Sequence, residues 1–302
     1  MRAATQSGTI GLMPETTRQK FRAMLTPGAA LILPGVANAL AARVVADCGF
    51  GAAYVTGAGI ANSFLGIPDN GLVTLSELTS HVTAIREVFD GPLMVDADTG
   101  FGNALNMRRT IQVLERAGAD AIQIEDQIFP KRCGHFEGKE VISAAEMVAK
   151  VKAAADARSD ADLLIVARTD VIATDGYEAA ISRAHAYREA GADVTFVEAP
   201  KTPEQIAGIG RLPWPQLVNI VLGGRTPELP NARLKELRFA GVIYANIALQ
   251  AAVRGMQVAL GVLRQHGQIG DASAFAVDFA ERQRLIGKPE FDALERKYTI
   301  KS

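Results

Sequence analysis

The order of apolar runs in this sequence predicts an α/β protein: a (β/α)8 TIM barrel with extra C-terminal helices. Three observations carry that expectation. Eight short β-rich runs recur along the chain, most of them followed by a stretch with helical spacing, and the returns from helix to strand repeat a glycine-bearing motif. The chain has 302 residues, somewhat more than the ~250 such a barrel typically uses. A doubly wound open sheet is the alternative, but it needs fewer strands and normally shows a glycine-rich phosphate loop.

The first two runs are Ala30–Val36 and Ala52–Gly57, separated by helical spacing at Ala39–Cys48. Leu31, Ile32 and Leu33 are apolar on consecutive positions, as in strands covered on both faces of a parallel sheet. The third run, Pro92–Asp98, precedes a helical pattern at Met107–Ala117; the fourth, Ala121–Asp126, precedes one at Ala145–Ala155. The fifth, Leu163–Thr169, leads to Tyr177–Ala190. The sixth, seventh and eighth are Val194–Ala199, Leu217–Leu222 and Val242–Asn246, the last followed by Ala248–Leu263. Ala117-Gly118-Ala119-Asp120 and Ala190-Gly191-Ala192-Asp193 each end a helix with a glycine suited to a left-handed cap and then start a strand. Cys48-Gly49-Phe50-Gly51 and Phe239-Ala240-Gly241 stand in equivalent places. Residues 1–302 are therefore expected to form one barrel domain with a helical arm from about 269 to 302. That arm holds an amphipathic stretch, Ala272–Ile286, and a last helix around Glu290–Tyr298. It packs either on its own barrel or on a neighbouring subunit, and the second arrangement makes a homo-oligomer.

Composition excludes several classes. Apolar residues make up 48% and charged residues 22%, a globular balance rather than a disordered one. The formal charge of −1 gives no bulk attraction to nucleic acid or to an anionic membrane. The richest apolar stretch, from Ala29 to Val55, is broken by Pro34, Asn38, Arg43 and Asp47, so no membrane span is expected. Met1–Met13 lacks the apolar core of a signal peptide. Two cysteines cannot build a disulfide scaffold. The expectation is a cytoplasmic protein. Gly57-Ala58-Gly59 follows a strand, but Asn62 stands where a dinucleotide fingerprint has its third glycine. Cys48 ends an apolar helix face and reads as a small core residue; His81, His185 and His266 read as surface positions.

Chemistry in such a barrel belongs at the C-terminal ends of the strands, and polar residues gather there. The third run ends Val95-Asp96-Ala97-Asp98, the fourth Ile124-Glu125-Asp126-Gln127, the fifth Ala167-Arg168-Thr169-Asp170, the sixth with Glu198, the seventh at Asn219. Asp96, Asp98, Glu125 and Asp126 repel one another unless a cation neutralises them, and oxygen-only ligands favour Mg2+ or Mn2+ over zinc. The alternative is that they bond helix N-termini or neighbouring loops. Arg168 can hold a substrate carboxylate or phosphate in two bonds, or pair with Glu198 or Asp170. Cys133 lies in Lys131-Arg132-Cys133-Gly134-His135, where flanking cations and an imidazole favour a reactive thiol. An ordinary loop thiol is its other reading. Tyr54, at the second strand end, is either a base or a packing residue.

The sequence resembles the isocitrate lyase / phosphoenolpyruvate mutase superfamily from about Pro34 to Gly224. The resemblance rests on Tyr54–Gly59, Gly66-Ile67-Pro68-Asp69, Val95–Gly100 (VDADTG), Ile124–Gln127 (IEDQ), Lys131–His135 (KRCGH) and Ala167–Asp170 (ARTD). The KRCGH motif looks like that of the lyase side, with methylisocitrate lyases, dimethylmalate lyase and oxaloacetate hydrolases, and occurs also in carboxyphosphoenolpyruvate mutase. The resemblance implies a barrel whose eighth helix is exchanged within a dimer, usually inside a tetramer. It also implies Mg2+ contacted by Asp98, with Asp69, Asp96 and Glu125 holding its waters. Thr56, Gly57 and Ala58 would bind the 2-oxo or 2-hydroxy acid end of a small carboxylate substrate, with Arg168 nearby, and Cys133 would act as the acid. Glu198, Asn219, Gly134 and His135 complete the expected substrate surroundings.

Two departures bear on the substrate. Relatives continue the seventh strand Asn-x-x-Glu, whereas Leu222 stands at that Glu position here. Methylisocitrate lyases carry an arginine after the eighth strand, where this chain has Gln250; Asn246 replaces an apolar residue. The expected reaction is thus cleavage of a malate-like 2-hydroxy dicarboxylate to a 2-oxo acid, with a mutase or hydrolase of the same superfamily as the alternative. A non-catalytic binder of small acids is a third reading, disfavoured by the thiol.

Overall fold

The computed structural model describes residues 15–131, 138 and 140–299. Eight parallel strands close into a barrel in sequence order. They are β1 (Leu31–Val36), β2 (Ala53–Val55), β3 (Leu93–Asp96), β4 (Ala121–Glu125), β5 (Leu164–Thr169), β6 (Val194–Val197), β7 (Gln216–Asn219) and β8 (Gly241–Tyr244). Closure is made by β8 on β1, with Leu31 opposite Gly241 and Pro34 opposite Tyr244. Most strands stop one to three residues earlier than the apolar runs suggest.

The early helices are α1 (Thr17–Met24), α2 (Ala39–Asp47), α3 (Gly57–Ile60), α4 (Leu75–Arg86), α5 (Ala104–Arg116) and α6 (Ala144–Ala157). They are followed by α7 (Tyr177–Glu189), α8 (Pro203–Gly210), α9 (Asn231–Glu236), α10 (Ile247–His266), α11 (Phe279–Leu285) and α12 (Lys288–Tyr298). The helical spacing in the sequence does not reveal α1, α3, α4, α8 and α9. A cue exists for α4: Thr74 and Glu77 form a reciprocal capping box. Gly57, placed in a strand from sequence, opens α3 because the Thr56 side chain accepts from the Gly59 N–H and caps that turn.

The barrel interior is filled by Leu33, Tyr54, Met94, Val166, Phe196, Leu217 and Ile243, and Phe21 of α1 with the C-cap residue Leu25 packs against them. The repeated Ala-Gly-Ala-Asp motifs have a shared task at the strand starts. Asp120 accepts the Leu93 N–H at the start of β3 (2.8 Å) and Asp193 the Ile165 N–H in β5 (2.9 Å). Each aspartate is neutralised by an arginine, Arg86 and Arg158 respectively, at 2.6 Å. This is the stability face of the barrel.

The arm divides. α11 docks on α2 of the same chain through Arg284, whose two terminal nitrogens lie 2.7 Å from the Asp47 carboxylate oxygens. α10, twenty residues long, buries none of them. Among the described residues, no helix is long and apolar enough to cross a membrane. Cys48 corrects the sequence reading: it is exposed, because it caps the C-terminus of α2 beyond the buried Ala42 and Val45. His81 is half-buried, with Nδ1 2.8 Å from the Ala37 carbonyl oxygen.

Candidate active site

Alternation along the strands builds the site. Successive side chains point to opposite sides, so the residue two beyond a lumen residue stands over the mouth. Tyr54 is followed in this way by Thr56, Met94 by Asp96, Gln123 by Glu125, Val166 by Arg168, Phe196 by Glu198 and Leu217 by Asn219. All six mouth residues are buried.

Asp96 is fixed by Gln123, whose Nε2 donates to Asp96 Oδ1 at 3.2 Å, and by the Asp98 N–H at 3.3 Å. Asp98 has φ +48°, in the left-handed region that aspartate tolerates better than most residues. Gly57 approaches both carboxylates: a Cβ there would lie 3.2 Å from Asp98 Oδ1 and 3.3 Å from Asp96 Oδ2, so the glycine leaves the space an ion or small acid requires. Asp69 joins from the loop before α4 through Lys131, whose Nζ lies 2.6 Å from the Asp69 carboxylate and 2.9 Å from Asp98 Oδ1. Sequence reading does not place Lys131 in the site; no periodicity marks it.

Burial, reinforced by Asp96 and Asp69 and opposed by Lys131, pushes the Asp98 carboxyl up to about 7. Burial likewise holds Glu125 well above the usual carboxylate range against the pull of Arg168. Among the described residues no three carboxylates converge closely enough to ligate one ion directly. Glu125 Oε1 and Asn219 Oδ1 are buried and accept no hydrogen bond there.

Arg168 is locked from one side. Its Nε and Nη2 donate to Asp170 at 2.8 and 3.0 Å, Nε lies 3.4 Å from Glu125 Oε2, and the guanidinium sits over the Phe196 ring. The pairing with Asp170 is the one that the sequence offers as the alternative to substrate binding; it leaves the fork's other terminal nitrogen outside these bonds. Asn219 Nδ2 donates to Glu198 Oε1 at 3.5 Å, and Thr56 Oγ1 donates to Asn246 Oδ1 at 3.4 Å. Gln250 Nε2 donates to the Leu222 carbonyl at 3.5 Å, beside a cavity of about 90 Å3 that Ile220, Tyr244 and Asn246 also line.

Two expectations are corrected. Asp126 does not belong to the acidic cluster: it follows Glu125 and so faces the opposite side, where it accepts from Thr169, Tyr187, Arg183 and the Asp170 N–H at 2.7–2.9 Å. Tyr54 is a lumen residue whose hydroxyl donates to Gln123 Oε1 at 3.1 Å. Burial and the nearby Asp96 raise its pKa well above that of an ordinary phenol, so it keeps its proton and is poorly suited to act as a base. Cys133, Gly134 and His135 lie outside the described residues.

Buried carboxylates and a guanidinium gathered at the C-terminal mouth of a (β/α)8 barrel make the arrangement of a barrel enzyme's active site. The family profile described as phosphoenolpyruvate phosphomutase matches residues 21–263. The chain belongs to the PEP mutase/isocitrate lyase superfamily. It is 40% identical over 283 residues to 2,3-dimethylmalate lyase of Eubacterium barkeri, covering 93% of this chain and 98% of that one. A crystal structure of 2,3-dimethylmalate lyase, described as a member of that superfamily, matches with TM-score 0.88 and 35% identity over 94% of this chain and 95% of the other. Phosphonopyruvate hydrolase in complex with oxalate and Mg2+ matches with TM-score 0.84 and 31% identity over 94% and 99%.

Proposed function

We propose that the chain is a carbon–carbon lyase that cleaves a malate-like 2-hydroxy dicarboxylate to a pyruvate-type 2-oxo acid and a carboxylic acid. The observation that carries this reading is Glu125: a buried carboxylate with one oxygen unengaged and the other 3.4 Å from Arg168 Nε. That is a base placed next to a binder of carboxylates. The likeness to 2,3-dimethylmalate lyase supports it.

The residues fit Mg2+, with Mn2+ the other ion of that class. Every candidate donor is an oxygen, Gly57 leaves room, and Mg2+ keeps several waters, so a site without three converging carboxylates suits it. Asp98 would hold it directly, and Asp69, Asp96 and Glu125 through its waters; when bound, it stabilises negative charge developing on the substrate's oxygens. Arg168 holds the substrate carboxylate, and the main chain of Gly57 and Ala58 with the Thr56 hydroxyl holds the 2-hydroxy acid end. Glu125 accepts the 2-hydroxyl proton, the C2–C3 bond breaks with formation of the C2 carbonyl, and the Cys133 thiol protonates the departing carbon. Gly134, His135, Glu198 and Asn219 enclose the substrate.

Because a proton competes with the ion for Asp98, Mg2+ binding should weaken about tenfold per pH unit below about 7 and level off above it. Calorimetric titration at three pH values checks this; a flat profile from pH 5.5 to 8 would remove Asp98 as direct ligand.

Gln250 and Leu222 set size selection. A third carboxylate in this closed site finds no arginine at position 250, and a charged group left unpaired is costly. In a panel of substituted malates, methylisocitrate, oxaloacetate and phosphonopyruvate, we expect 2-oxo acid to form fastest from a substituted malate and slowly from methylisocitrate. The second reading, a phosphonate mutase or hydrolase, draws on the family profile and on the phosphonopyruvate hydrolase likeness. Turnover of phosphonopyruvate alone would establish it.

The exposed apolar side chains of α10, among them Val253, Met256, Leu260 and Leu263, support assembly as a homodimer or tetramer. An apolar groove of about 290 Å3 between α2 and the start of α10, lined by Leu40, Val44 and Leu249, offers a seat for a second copy.

A further inference from the structure

Lys131 is a buried cation in contact with the acids that would surround the metal ion. Its side chain is 3% exposed, and its Nζ touches Asp69 at 2.6 Å and Asp98 at 2.9 Å. Two carboxylates against one buried ammonium favour its charged form. It is built in from the other side as well. Gly71, at φ +70°, packs against it, and a Cβ there would come within 3.2 Å of the Lys131 main-chain nitrogen and 3.3 Å of its Cγ.

A permanent positive charge at this place has two consequences. It keeps four close carboxylates folded without any ion, since like charges sharing a site repel strongly. It also repels any cation that enters, because two positive charges a few ångströms apart in a poorly solvated mouth interact much more strongly than in water. We propose that Lys131 is a fixed counter-ion of the cation site, which weakens Mg2+ binding to the empty enzyme so that tight binding requires the negative charge an acidic substrate brings. The inference rests on the proposed Mg2+ site and deepens it: cation and substrate become mutually dependent ligands, and by linkage each strengthens the other.

The test is calorimetric titration of Mg2+ into wild type, Lys131→Met and Lys131→Arg, each alone and with saturating oxalate as a dianionic probe. In wild type, oxalate should tighten Mg2+ binding strongly. In Lys131→Met, Mg2+ alone should bind at least tenfold tighter than in wild type, and the help from oxalate should shrink by a similar factor. Lys131→Arg, which keeps the charge, should stay within about threefold of wild type. Lys131→Gln replaces the Met variant if that one does not fold. Unchanged or weaker Mg2+ affinity in the neutral variants overturns the proposal, as does an Arg variant that behaves like Met. Failure of wild type to bind Mg2+ even with oxalate would instead remove the metal reading beneath it.

Discussion

Asp98→Ala is expected to abolish turnover, lowering kcat/KM at least ~10³-fold, and added Mg2+ should not restore it. Asp98 is the carboxylate closest to Gly57, it pairs with Lys131 at 2.9 Å, and its backbone is left-handed. Of the proposed ligands it alone is assigned direct contact with the ion. EDTA should silence the wild-type enzyme to the same degree, with Mg2+ or Mn2+ reversing that loss. The protein should remain folded: burial and like charges raise the Asp98 pKa, so its ionised form costs stability near neutral pH, and Lys131 keeps Asp69 as partner in the variant. Far-UV circular dichroism with a coupled assay for 2-oxo acid separates loss of chemistry from loss of fold. Full activity in EDTA would end the metal assignment.

Cys133→Ser is expected to lower kcat ~10²–10⁴-fold, the usual worth of a general acid, while KM moves far less. In the sequence the thiol lies between Arg132 and Gly134 with His135 beyond, and a thiol is by nature a better proton donor than a serine hydroxyl of similar size. The substrate's carboxylates are assigned to other residues, so binding should survive. A mutase that moves a phosphoryl group has no carbanion to protonate and should tolerate the change. Near wild-type kcat in the variant would take the cysteine out of the mechanism.

Much of the fold is legible in the amino-acid sequence itself. The eight runs, their order and the glycine punctuation follow from short-range rules, and the closed barrel agrees with them. The mouth residues follow from strand alternation once the strand ends are known. Adjacent acids are harder: Glu125 and Asp126 differ by one position and therefore face opposite sides, a distinction composition does not reveal. Tyr54 shares the register of Thr56, but lies one layer deeper, where its hydroxyl meets Gln123. Lys131 is illegible for another reason. Its partner Asp69 lies 62 positions away and meets it only because two loops fold together over the mouth. Cys48 shows the limit of periodicity at a helix end: Ala42 and Val45 of the apolar face meet the core, and the cap beyond them does not.

If a carbon–carbon bond breaks and the released carbon takes its proton from the solvent-exchangeable thiol, solvent hydrogen must enter one product only. Incubating the enzyme and Mg2+ with 2,3-dimethylmalate in D2O and following both products by NMR tests it directly. Pyruvate and propionate should form in equal amounts, the propionate carrying one deuterium at C2. Unchanged dimethylmalate, from an enzyme that turns over phosphonopyruvate or oxaloacetate in the same buffer, would contradict it.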